Sequence, residues 1–261
     1  MKSWAVSKKW GWKKAKNNME RLKVEHLSYS YVPGGKKVLK DITFRVGVGE
    51  SLGIIGLNGS GKTTLSYCLC GIIPHYFKGV MAGRVLVNGK DTRKTPLSEL
   101  ASMIGIVLQD PNVQILMPTV EDDLAFALEN YNVPREEIKK RLELVMELVG
   151  ITAIKDENPN NLSGGEKQLV ALASVLALDP SVIVFDESLS MLDELAAKRI
   201  IAVMQKLKQQ GTTLVVIDHT AKGLEVYDKV FVLEEGRVIR RGPKEQLLQD
   251  KLFLNKHKIF F

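Results

Sequence analysis

Two short clusters carry most of the chemistry in this chain. Gly56-Leu57-Asn58-Gly59-Ser60-Gly61-Lys62-Thr63 fits G-x-x-x-x-G-K-[ST] at every fixed position. Glycines at this spacing let backbone amides turn inward around phosphate oxygens. Lys62 can then reach the β- and γ-phosphates, the Thr63 hydroxyl can ligate Mg²⁺, and Thr64 follows at the helix start. The segment at 182–187 (VIVFDE) is an apolar strand ending in two acids. At the carboxyl end of a parallel strand, where ligands bind, Asp186 can hold the metal through water. Glu187 can orient or deprotonate the attacking water. Alone, the first cluster could be a Gly-rich turn and the second a solvated loop. Together they describe a site that binds and hydrolyses a nucleoside triphosphate.

A third cluster is Leu162-Ser163-Gly164-Gly165-Glu166, ahead of a helical run at 167–178. A hydroxyl, backbone amides and a helix N-terminus make a second anion site, although by itself the pattern equally describes an N-capped helix. It lies far downstream of the glycine loop, so one phosphate need not meet both within one chain.

Four elements that position these clusters, Ser51–Ile55, 104–108, 181–185 and 213–217, are continuous apolar runs. Such runs predict strands buried on both faces of a parallel sheet. Residues 21–46 and 83–89 alternate instead, through Ile42, Phe44, Val46, Val85 and Val87, with a turn at Pro33-Gly34-Gly35. They predict a small antiparallel sheet. A helix is expected from Pro134, with Glu136 and Glu137 in its first turn, Ile138, Leu142, Val145 and Val149 on one face, and Gly150 at its end. Residues 230–240 read as a hairpin turning at Glu235-Gly236, and the tail from Lys244 as an amphipathic helix finishing at Phe260-Phe261. The expected class is α/β: a mostly parallel sheet flanked by helices, with an N-terminal antiparallel β subdomain and a helical insertion.

Composition agrees. At 261 residues, 45% hydrophobic and 26% charged, the chain can bury a core without disulfide or structural metal. Disordered, collagen-like and coiled-coil classes are excluded. The longest uncharged stretch, 63–77, is short and contains Pro74 and His75, so no membrane span is expected. The 37 basic and 30 acidic residues give +7. Six of the lysines (Lys2, Lys8, Lys9, Lys13, Lys14, Lys16) sit in residues 1–18, which hold no acid, so the body carries only +1. That leader also holds Trp4, Trp10 and Trp12. It reads as a disordered extension, as a segment touching an anionic membrane surface, or as upstream of a start at Met19. Cys68 and Cys70 sit two apart on an expected helix and form no metal frame, which suits a reducing compartment. His26, His75 and His257 fit no ligand spacing.

Taken together, the motifs resemble the ATP-binding-cassette (ABC) ATPases over residues 22–243. The resemblance implies a division into an extension (1–19), an ATPase domain (20–243, with a helical subdomain at about 110–168) and a helical tail (244–261). It also implies that two ATP and Mg²⁺ are sandwiched head to tail by two such subunits. Ser163, Gly164 and Gly165 would then contact the γ-phosphate held by the partner's loop. By position, Gln109 resembles the glutamine that senses Mg²⁺ and the attacking water, and Tyr31 the aromatic residue that stacks on adenine. Asp193 in Ser190-Met191-Leu192-Asp193 resembles the acid of the loop crossing the dimer, and His219 the switch histidine on the γ-phosphate. Glu166 stands where the family usually has Gln, and Met191 is larger than usual.

The segments at 108–114 (LQDPNVQ), 118–126 (PTVEDDLAF) and 171–180 resemble the energy-coupling-factor branch and its cobalt- and nickel-uptake relatives. That implies a peripheral subunit at the cytoplasmic face of the membrane. Its partners would be a second ATPase, identical or different, a transmembrane scaffold and a small membrane substrate-binding protein. Vitamin or transition-metal uptake is the implied task. Another ABC transporter class is the alternative, and a soluble cassette acting on nucleic acid or ribosomes a more distant one. The near-neutral body lacks a basic stripe for nucleic acid.

Overall fold

The computed structural model describes residues 20–219, 222–257 and 259. The Lys/Trp leader, Met19 and the Phe260-Phe261 end of the tail lie outside the described residues. The first half runs β1 (Glu20–Ser30), β2 (Leu39–Gly47), β3 (Ser51–Ile55), α1 (Lys62–Leu69), α2 (Ile72–His75), β4 (Val80–Val87), β5 (Lys90–Asp91), α3 (Leu97–Ala101) and β6 (Ile104–Val107). There follow α4 (Val120–Asn130), α5 (Arg135–Val149), α6 (Gly164–Ala177), β7 (Val182–Asp186), α7 (Glu194–Gln209) and β8 (Thr213–Asp218). The chain continues through β9 (Lys229–Glu234), β10 (Arg237–Pro243), α8 (Lys244–Gln249) and α9 (Lys251–Lys256).

Two sheets form. The first, β2-β1-β4-β5, is antiparallel throughout. The second, β10-β9-β3-β8-β7-β6, is parallel except for the β10–β9 pair. Every residue of β3, β7 and β8 is buried, as their unbroken apolar sequences require. Alternate side chains divide between two cores. Ile183, Phe185, Leu214 and Val216 pack in one cluster with apolar residues of α4 to α7. Val182, Val184, Val215 and Ile217 pack in the other with α1 and the first sheet. Burial of each such side chain contributes roughly 1.5–3 kcal/mol, so the sheet order is fixed from both faces.

Register sets the site. Ile55 pairs with Asp218, and Asp186 with Ile217. The residues that follow these strands, Gly56, Glu187 and His219, therefore emerge at one carboxyl edge. Helix α5 begins after Pro134 and ends on Gly150 in a left-handed conformation, φ 76°. Its buried stripe contains Ile138, Leu142, Val145 and Val149.

Three local expectations change. The hairpin at 230–240 forms, but β9 also joins β3 in parallel and so belongs to the central sheet. The tail is two helices rather than one. The chain breaks at Asp250, whose carboxylate accepts from the Phe253 N–H at 3.1 Å and starts α9. Cys70 is not inside α1 but caps it, and both cysteines are buried free thiols. Among the described residues, no helix is long and apolar enough to cross a membrane.

Candidate nucleotide and metal site

The loop at 56–61 joins β3 to α1. Gly59 and Gly61 adopt φ 79° and 105°, left-handed values that disfavour any side chain. A Cβ on Gly56 would lie 2.3 Å from the Leu233 carbonyl oxygen. The β9–β10 turn braces the loop, its Gly236 N–H donating to the Ser60 carbonyl at 2.9 Å. Helix α1 starts without a side-chain cap and without an acid in its first turn. Its amides and positive end therefore remain available to an anion. Asn58 and Gly59 are exposed at the tip, and Ser60 is buried.

Lys62 is buried beneath the loop. Its ammonium donates to the carbonyls of Gly56 (2.8 Å) and Leu57 (3.1 Å) and pairs with Glu187 Oε1 at 3.1 Å. Glu187 holds φ 51°, a conformation rarely taken by non-glycine residues. Its N–H donates to the Ile217 carbonyl at 2.8 Å. Its second carboxylate oxygen lies 3.5 Å from His219 Nδ1, and the His219 backbone N–H donates to Asp218 Oδ1 at 2.7 Å. One carboxylate thus bridges the lysine and the histidine.

Asp186 is buried beside them. Its Oδ2 accepts from the Ser66 hydroxyl at 2.7 Å, whereas Oδ1 is buried without a partner. Burial pushes this carboxyl above the usual range; the Ser66 bond opposes the shift and the neighbouring Glu187 charge adds to it. An orphaned buried carboxylate oxygen calls for a cation or water. With the Thr63 hydroxyl and the Gln109 amide oxygen, the donors are hard oxygens, which suit Mg²⁺. The residues present therefore fit the metal.

Gln109 is exposed, its amide nitrogen 3.4 Å from the Ser190 hydroxyl. The Tyr31 hydroxyl lies 3.0 Å from Thr64 Oγ1, and its ring packs edge-on against Tyr29 at 4.9 Å. It stays 44% exposed, a fixed aromatic surface beside the loop. A cavity of about 230 Å³ adjoins Gly56–Ser60 on the side of β9, but Glu234 and Glu235 line it. Two carboxylates are poor company for a triphosphate, so the phosphate face is the one bearing Lys62.

The third cluster stands apart. Ser163 caps α6 in a reciprocal box: its N–H and hydroxyl donate to Glu166 Oε2 at 2.9 and 2.7 Å, and its oxygen accepts from the Glu166 N–H at 3.3 Å. These bonds hold the Glu166 carboxyl below its ordinary range. Asp193 caps α7, accepting from the Ala196 N–H at 2.8 Å. A Cβ on Gly165 would lie 2.6 Å from the Ala196 Cβ, while one on Gly164 would meet nothing within 4 Å. Met191, before Asp193, is 76% exposed. Among the described residues, no hydrogen bond or ion pair joins Ser163, Gly164, Gly165 or Asp193 to the loop at 56–63.

Several contacts that brace the site are not visible in the sequence. Buried Gln168 donates from α6 to the Leu108 carbonyl at 2.9 Å. Gln114 accepts from the Leu108 N–H at 3.1 Å and donates to the Ala171 carbonyl at 3.4 Å. Asp123 accepts from the Leu116 N–H and from the Ser174 hydroxyl, at 2.8 and 2.7 Å. Helix α6 is thereby tied to residues 108–117. Lys222 donates to the carbonyls of Leu189, Ser190 and Leu192, anchoring the loop after Glu187. Only Ser66 had a local signal, since it follows Thr63 by one helical turn.

Comparison with known proteins identifies the family. The family described as ABC transporter matches residues 39–190. The energy-coupling factor transporter ATP-binding protein EcfA1 of Mycoplasmoides gallisepticum is 40% identical over 238 residues, covering 91% of this chain and 83% of that protein. EcfA1 of Halalkalibacterium halodurans is 41% identical over 234 residues, with 88% and 82% covered. Among solved structures, cbiO1 from Clostridium perfringens, described as part of the ABC transporter complex cbiONQ, superposes with a TM-score of 0.80. It shares 33% identity, with 91% of this chain and 94% of that one covered. The chain therefore belongs to the ABC transporter family and is an ATP-binding, ATP-hydrolysing subunit of the energy-coupling-factor type.

Proposed function

We propose that this subunit pairs with a second ABC ATPase around two ATP molecules. Closure of the pair would drive a membrane importer for a vitamin or a transition metal. The observation that carries the pairing is the separation of the two clusters. Lys62, Asp186, Glu187 and His219 are assembled at one sheet edge, whereas Ser163, Gly164 and Gly165 are bonded elsewhere in the same chain. A γ-phosphate on Lys62 is completed by the Ser163 cluster of the partner.

In this reading Tyr31 stacks on the adenine, and Asn58, Gly59, Ser60, Gly61, Thr63 and Thr64 wrap the phosphates. Lys62 moves from Glu187 to the β- and γ-phosphates. Glu187, so released, accepts a proton from the water whose oxygen bonds to the γ-phosphorus, and the bond to ADP breaks. Gln109 orients that water, and His219 donates to the γ-phosphate. Thr63, Asp186 and Gln109 would hold Mg²⁺, which when bound neutralises charge on the phosphate oxygens. Asp193 sits at the crossing between subunits. Occupancy of both sites biases an open–closed equilibrium.

The surface facing the membrane scaffold lies at 110–119, where Val113 and Leu116 are 63% and 68% exposed. The bonds through Gln168, Gln114 and Asp123 support transmission from α6 to this surface. The scaffold and the substrate-binding protein are separate chains, and the subunit works at the cytoplasmic face of the membrane. Affinity purification of the tagged chain from detergent-solubilised host membranes tests this. A multi-spanning scaffold, a small membrane binding protein and a second ATPase should co-elute. Recovery of soluble proteins or ribosomes alone contradicts the transport role.

A further inference from the structure

The hydroxyl of Ser66 is fully buried and lies against a metal-ligand candidate from another element. Ser66 is 0% exposed and its hydroxyl is 2.7 Å from Asp186 Oδ2, across 120 residues of chain. Its oxygen is also 2.9 Å from the Thr63 carbonyl, one helical turn back on α1. A hydroxyl has a single proton to share between two such acceptors. The carboxylate is the stronger acceptor and the closer one.

The partner atom completes the pattern. With Oδ2 engaged by Ser66, Oδ1 of Asp186 is buried with no partner of its own. A carboxylate held by one oxygen has its rotation restricted and leaves the other oxygen to offer a cation shell. The spacing on α1 serves the same end, because Thr63 and Ser66, at i and i+3, share one face of the helix. One turn of α1 thus carries both a candidate ligand hydroxyl and the group that holds Asp186.

We propose that Ser66 is a positioning residue for the metal site, fixing Asp186 so that Oδ1 faces the Mg²⁺ shell. The proposal rests on the reading of Thr63 and Asp186 as that site. Hydrogen bonds that orient ligating carboxylates are worth 10–100-fold in metal affinity as an order of magnitude, and that is the expected effect of losing this one.

The test titrates Mg²⁺ into the purified chain with a fluorescent ADP analogue, beginning in EDTA. Ser66→Ala should keep metal-free ADP affinity within about twofold, and raise the Mg²⁺ midpoint roughly 10–100-fold. Ser66→Cys, of similar size with a weak donor, should fall between. Mn²⁺ binding followed by electron paramagnetic resonance should weaken by the same factor, independent of turnover. An unchanged Mg²⁺ midpoint in folded Ser66→Ala overturns the role of Ser66. An Asp186→Asn variant with the wild-type midpoint overturns the metal-site reading, and the proposal with it. Equal loss of metal-free and metal-dependent binding in both Ser66 variants marks a structural role and also overturns it.

Discussion

The loop lysine is engaged by a carboxylate. Lys62 Nζ lies 3.1 Å from Glu187 Oε1, with the two side chains 3% and 14% exposed. A phosphate must displace that carboxylate, so Glu187→Gln should tighten nucleotide binding even as it removes the base. Two unit charges at this distance attract by about 5 kcal/mol at an effective dielectric near 20, which is an upper bound. The Gly56 and Leu57 carbonyls keep their hold on the ammonium in the variant, and the amide oxygen of Gln still accepts from it. What is lost is the excess of a charge-assisted over a neutral hydrogen bond, about 1–1.5 kcal/mol, or roughly tenfold in affinity. The ligand should be ADP without Mg²⁺, because ADP has no γ-phosphate to close a subunit pair. Isothermal titration of both proteins should give a dissociation constant roughly tenfold lower for Glu187→Gln. An equal or weaker affinity would mean that Glu187 does not compete for Lys62, and would refute the reasoning.

Three further outcomes are expected. Glu166→Gln keeps the capping box but removes a carboxylate from the Ser163 hydroxyl. The change should promote ATP-dependent pairing several-fold, read by sedimentation, with thermal stability lowered by no more than about 1 kcal/mol; weakened pairing would contradict this. Tyr31→Ala should weaken ATP binding by about 1–3 kcal/mol, the usual worth of a base stack, while Tyr31→Phe should lose far less; equal losses would assign the effect to the Thr64 contact. Asp179 has its carboxyl pushed up by burial to about 6 from 3.8. A folded value above the unfolded one means that stability is fully present below about pH 4 and is lost as pH rises through about 6. Asp179→Asn, which tolerates the φ of 54° at this position, should therefore stabilise the chain at pH 7 by at most about 3 kcal/mol. Urea melts at pH 3.5 should show no such gain, and a pH-independent gain would refute the titration.

What the sequence made legible was local. The glycine loop declares itself within eight consecutive positions, and β3, β7 and β8 through apolar runs that only burial on both faces tolerates. Pro134 and Gly150 bound α5 through backbone preferences of their own. The unread features are those made by distance. The turn at Glu235-Gly236 was visible, but the pairing of Ile54 with Phe231 that draws β9 into the central sheet was not. Lys222 looks like an ordinary surface residue until the fold brings the 189–192 loop to it, and Ser66 shows only its spacing from Thr63 until the fold brings Asp186. The break at Asp250 is a different case. An acid that caps a second helix is indistinguishable in the sequence from a polar residue on the face of a single one. Helix α7 also went unread, although Asp193 as cap and the buried Ala197, Ile200, Ile201, Met204 and Leu207 carry its signal.

In the proposed pair, the Lys62 site is completed by the Ser163 cluster of another subunit. The most direct measurement is native mass spectrometry of tagged Glu187→Gln protein, isolated from its host with ATP and Mg²⁺ present. The expected result is a particle containing two ATPase chains, identical or different, and two ATP molecules, which falls apart when Ser163→Arg is introduced. A single ATPase chain that retains ATP, unaffected by Ser163→Arg, would contradict it.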